Sequence, residues 1–122
     1  MLKPKHDVNM KKIAIHGVYE TLSIFPNRIF GLEADDKYSH LIILDDKEEK
    51  GFRKVTSSLT MKHYQAQLRD DGIIRANKSQ MINLLFVNGI TNEHLLLLEH
   101  DYMGNVYLSK EFREEFFAQH KA

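Results

Sequence analysis

The sequence predicts a mostly β domain with two short helices, on the border between all-β and α+β. Three observations carry this reading. Apolar runs are short and separated by turn signals. Only two stretches combine helical apolar spacing with a residue suited to cap them. No repeat, low-complexity segment or Gly/Ser/Pro-rich linker divides the 122 residues, a length that suits one domain.

In chain order, "KIAIH" (12–16) alternates apolar and polar, and "ETLSIF" (20–25) follows it up to the turn signal at Pro26 and Asn27. "RIFGLEA" (28–34) and "HLIILDD" (40–46) flank the polar loop "DDKYS" as a hairpin-like pair. "KEEKG" (47–51) reads as a solvated turn, and "FRKVTSSL" (52–59) as the next strand. Thr60 is placed to cap a helix whose inner face carries Met61, Tyr64 and Leu68, and Gly72 supplies a left-handed stop. "GIIRA" returns to extended chain, while "NLLFVNGI" fits either a strand or a buried helical turn. "EHLLLLEH" (93–100) reads as a strand, "DYMGN" (101–105) as a turn and "VYL" (106–108) as the last strand. Ser109 is placed to cap a final helix, with Glu111 and Glu114 in its first turns and Phe112 and Phe116 facing inward. The charged stretch 1–11 reads as a tail or linker remnant, leaving 12–120 as the domain.

Composition removes several functional classes. The chain has no cysteine, which excludes disulfide scaffolds, thiol catalysis and cysteine-based zinc sites, and suits a reducing, cytoplasmic setting. Its longest apolar runs fall far short of the roughly 20 residues that span a bilayer. No phosphate-binding glycine loop, nucleophile elbow or paired nucleophile and base occurs, so no enzyme activity and no cofactor are expected. His94 and His100 lie near carboxylates but lack zinc-motif spacing, and read as exposed histidines at strand ends. The acidic stretch around Asp35 and Asp36 reads as a solvated loop, since it lacks the glycine and terminal glutamate of a calcium loop. The 17 basic and 17 acidic residues cancel, so a nucleic-acid partner requires local clustering of cations.

Four stretches in order resemble the LytTR family of bacterial DNA-binding domains: "RIFGLEADDKYSHLIIL", "SSLTMKHYQAQL", "GIIRANKSQMINLLFV" and "VYLSKEF". The resemblance covers about residues 12 to 118. Two positions depart from the family pattern: Lys110 stands for its usual Arg after the closing Ser, and Asn77 for a frequent His. Lys lacks the planar fork of Arg, which leaves bidentate guanine reading at 110 in doubt. The resemblance implies stacked antiparallel sheets and sequence-specific binding of duplex DNA through loops rather than a recognition helix. It also implies a role as the output domain of a bacterial two-component response regulator. The partners it implies are duplex DNA, a second copy on paired half-sites, and a receiver domain or sensor absent from this chain.

The residues so singled out fall in three places. Lys37, Ser39 and His40 lie in the first loop; Tyr38 beside them either packs or meets the duplex backbone. Arg75, Asn77 and Lys78 lie in the second stretch: Asn77 for an adenine edge, Lys78 for a phosphate or guanine, and Arg75 for a phosphate or a structural ion pair. Ser79 is expected to cap its turn and Asn83 to tie the following loop. Lys110 and Arg113 open the last helix, Arg113 alternatively pairing with a helix glutamate. The rival reading is a protein-interaction module that uses the same loops without DNA.

Overall fold

A computed structural model describes residues 11–120. The stretch read as a tail therefore lies almost wholly outside the described residues. Among the described residues, nine strands form three antiparallel sheets. β1 (Ile13–His16) pairs with β2 (Thr21–Ile24). The central sheet joins β3 (Ile29–Asp35), β4 (Tyr38–Leu44), β5 (Phe52–Ser57), β6 (Ile73–Asn77) and β7 (Gln80–Asn83) in the order β5-β4-β3-β7-β6. β8 (Val87–Ile90) pairs with β9 (Leu96–Leu98). Among the described residues, no helix is long and apolar enough to cross a membrane.

The central sheet is apolar on both faces, so each face carries its own core. On one side Leu32, Leu41, Val55 and Met81 pack against Ile15 of β1 and against α1 (Met61–Leu68), through Met61, Tyr64 and Leu68. On the other, Phe30, Ile42, Ile74 and Ile82 meet Phe86, Val87, Leu96, Val106 and Phe116 of α2 (Arg113–His120). A bulge interrupts the alternation of β3. Ile29 pairs with Ile43 and Gly31 with Ile42, so Phe30 is the extra residue and turns to the second core while Ile29 faces the first. A Cβ at Gly31 would lie 2.6 Å from the Met81 carbonyl oxygen and 2.5 Å from the Met103 sulfur. Gly31→Ala is therefore expected to lower the unfolding free energy by about 1–3 kcal/mol, read by chemical denaturation.

α1 forms as its sequence suggests. The Thr60 hydroxyl accepts from the His63 amide at 3.4 Å, and Gly72 closes the extension 69–71 with a φ of +77°. Where α1 meets the sheet, the Tyr64 hydroxyl donates to Ser57 Oγ at 2.6 Å, and Ser57 Oγ donates to the His16 carbonyl at 2.9 Å. Burial pushes the Tyr64 phenol above its ordinary value, opposed by those polar neighbours. This buried chain ties β1, β5 and α1 together at one end of the sheet.

"NLLFVNGI" divides between the two alternatives: β7 ends at Asn83, residues 84–86 make one 3-10 turn with Phe86 buried, and the strand β8 follows. Three other local expectations need correction. "EHLLLLEH" keeps only Leu96–Leu98 as strand. Thr91 Oγ1 accepts from the amides of Glu93 and Leu95, and His94 adopts a φ of +65°, so the chain turns there. "VYL" is extended but makes only an isolated bridge between Tyr107 and Leu95, too few consecutive pairs for a ladder. Ser109 precedes a 3-10 turn (Lys110–Phe112), not the α-helix itself, and its hydroxyl caps nothing.

Candidate nucleic-acid interface

The antiparallel order brings the three suspected segments to one end of the central sheet. The β3–β4 turn (residues 36–37) and the β6–β7 turn (residues 78–79) both close at that end, because β3 pairs with β7. The Ala34 amide donates to the Ser79 carbonyl at 2.8 Å, joining the two turns directly. The Ser109 amide donates to the Ala76 carbonyl at 2.8 Å, which lays the segment 107–110 against the outer side of β6. Three stretches far apart in sequence thus lie side by side.

Each turn is fixed by local chemistry. Asp36 takes a φ of +56°, a conformation that Asp tolerates better than most side chains, and leaves Lys37 exposed at the tip. In the β6–β7 turn Asn77 Oδ1 accepts from the Ser79 amide at 3.0 Å and from its hydroxyl at 3.2 Å. Asn77 Nδ2 donates to Gln80 Oε1 at 2.8 Å and to the Tyr107 carbonyl at 2.9 Å. The Asn77 amide is fully engaged, so it holds the turn and does not face outward to an adenine. That corrects its expected role. Asn77→Ala should accordingly loosen this turn and lower the unfolding free energy by about 1–3 kcal/mol, read by chemical denaturation.

Other candidates are placed as follows. Ser39 is 0% exposed and its hydroxyl donates to the Leu59 carbonyl at 2.8 Å, so it belongs to the core and not to a contact surface. His40 is half-buried on the sheet, with Nδ1 2.8 Å from Thr56 Oγ1 and Nε2 3.2 Å from Asp35 Oδ2. The latter contact is an ion pair only when the ring is protonated. Arg75 lays its guanidinium 5.5 Å from the centroid of the Phe112 ring. Among the described residues neither Arg75 nor Arg113 pairs with a carboxylate, and each has a buried Nε without a partner. The ion pairs weighed for them are thus replaced, for Arg75, by stacking on an aromatic face. The carboxylate on α2 that does pair is Glu115, 2.8 Å from Arg69. Asn83 behaves as the sequence suggests: it is buried, donates to the Ile29 carbonyl at 2.9 Å and accepts from the Leu85 amide.

Lys78 and Lys110 come together. Both line one shallow depression, with Asn77, Ser79 and Gln80 on one side and Tyr107, Ser109 and Glu111 on the other. Lys37 lies on the neighbouring turn and not in that lining. Gln80 and Tyr107 were missed at the sequence level. Tyr107 is 49% exposed between buried Val106 and Leu108, an alternation visible in the sequence. Gln80 follows from the two-residue turn, which sets it opposite Asn77. The charge of the edge is modest, since Asp35, Asp36 and Glu111 sit among the three lysines. His94 and His100 are half-buried, not exposed, and His100 stacks on Tyr102 at 4.6 Å. Among the described residues no three His, Asp or Glu side chains gather as a metal site.

No family model matches the sequence, and no curated protein matches it. A solved structure does. It is the LytTr DNA-binding domain of a Bacillus cereus protein designated a methyl-accepting/DNA response regulator. The match has a TM-score of 0.64 over 89% of this chain and 95% of that one, at 19% identity. The chain has the LytTR fold. The mostly β build with two short helices described above is thus shared with that domain at the level of the fold.

Proposed function

We propose that this LytTR-type domain binds duplex DNA sequence-specifically, through the turns at one end of its central sheet, as the output domain of a bacterial transcriptional regulator acting in the cytoplasm. The supporting observation is the convergence of the turns at 36–37 and 78–79 with the segment 107–110, with Lys78 and Lys110 in one depression. Lys37, Lys78 and Lys110 supply the charge that meets phosphates, and the lining of the depression meets base edges. Arg75 and Arg113 flank this edge, Arg75 with its guanidinium held by Phe112. His40 and Asn77 act beneath it, as supports of the first and second turns. A second copy on paired half-sites and a receiver or sensor partner complete the proposed assembly.

The test is fluorescence anisotropy with labelled duplexes across a salt series. Three exposed lysines predict a log–log slope of about 2 to 3, since each neutralised phosphate contributes roughly 0.9. A salt-independent affinity would contradict the proposal. The alternative, a protein-interaction module on the same turns, draws on the three carboxylates among the lysines and the net charge of zero. It predicts no duplex binding even at low salt.

A further inference from the structure

We propose that Gln80 reads a base edge from the Lys78–Lys110 depression and selects guanine at the pair it meets. This rests on the DNA-binding reading above and names the base preference of that same site.

Asn77, the obvious amide of the turn, has no capacity left for a base: its oxygen takes two bonds from Ser79 and its nitrogen gives two, to Gln80 and Tyr107. Gln80 is the next amide along the chain and lines the depression at the start of β7. Its carbonyl oxygen is held inward by Asn77 Nδ2 at 2.8 Å. That single bond fixes which end of the Gln80 amide is presented. The nitrogen, with two N–H donors, is the other end of that amide on a side chain lining the depression, and it has no hydrogen-bond partner among the described residues. Lys78 and Lys110 are donors without acceptor capacity. The lining also holds one carboxylate, Glu111, which belongs to the 3-10 turn and not to β7.

A cluster of donors matches one base edge best. In the major groove guanine shows two neighbouring acceptors, N7 and O6; adenine shows an acceptor beside a donor, and cytosine a donor. An amide usually reads adenine with both its ends; at Gln80 one lone pair of the oxygen is already taken by Asn77 Nδ2, which disfavours that two-ended pose.

The experiment is selection from a random duplex library with the full chain, comparing wild type, Gln80→Ala and Gln80→Glu. Wild type should enrich guanine at one position, and Gln80→Ala should lose that preference by about 5- to 10-fold with the salt slope unchanged. Gln80→Glu keeps an oxygen for Asn77 Nδ2 but presents an acceptor outward, so it should move the preference at that position to cytosine. Identical selected sequences from all three proteins would overturn the inference while leaving DNA binding intact. So would a Gln80→Ala protein that loses affinity equally for every sequence, or adenine at the Gln80-sensitive position. A wild-type chain that binds no duplex at low salt would refute the DNA-binding reading itself, and this inference with it.

Discussion

Replacing both lysines of the depression, Lys78→Ala together with Lys110→Ala, should weaken duplex binding about 30-fold at roughly 0.15 M salt. The estimate follows from counterion release: two phosphates lose their cations, and the log–log salt slope should fall by about 1.8. Both side chains are exposed, so the variant should melt within a degree or two of wild type. That separates lost charge from lost fold. Lys47→Ala with Lys50→Ala is the control, because those lysines sit in the turn between β4 and β5 at the other end of the sheet. Removing them should leave the slope nearly unchanged. Equal losses from both pairs would mean that attraction is spread over the molecule and not gathered at one edge.

Phe116→Ala should lower the unfolding free energy by about 3–5 kcal/mol, measured by urea denaturation. Phe116 is fully buried and is the residue by which α2 enters the second core. Its ring packs against Phe117 at 5.7 Å and stacks on His120 at 5.3 Å. The rest of α2 offers little in compensation: Phe117 is 43% exposed, and the Arg69–Glu115 pair is partly solvated. The neighbouring Phe117→Ala should therefore cost far less. DNA affinity should fall as well in Phe116→Ala, because α2 backs the segment that carries Lys110 and bonds to Ala76. A cost below about 1 kcal/mol would show that α2 is not anchored through this ring.

The parts of the fold legible in the sequence are those set by local chemistry. Thr60, the Met61–Tyr64–Leu68 stripe and Gly72 specify α1 within a few residues of one another, and all behave as expected. The β3–β4 hairpin was legible for the same reason. Non-local pairing was not. Nothing near Phe30 announces a bulge, because the bulge is a feature of the register between β3 and β4. The strand at 106–108 failed similarly: its apolar alternation is real, but its pairing is a single bridge to Leu95, just before β9.

Within the site, two misplacements had readable signals. Ser39 lies two residues before Leu41, in phase with the buried face of β4, and strand periodicity alone points it inward. Asn77 precedes Ser79 by two, the spacing at which an Asn side chain closes its own turn. The place of Gln80 opposite Asn77 follows from the two-residue turn, but the bond between their amides does not.

The most direct measurement is amide chemical-shift mapping of the labelled domain titrated with duplex DNA at low salt. The account predicts the largest shifts at residues 36–38, 78–80 and 107–111, all moving along one binding isotherm. Shifts centred instead on the opposite end of the sheet, at 26–28 and 45–51, would contradict it.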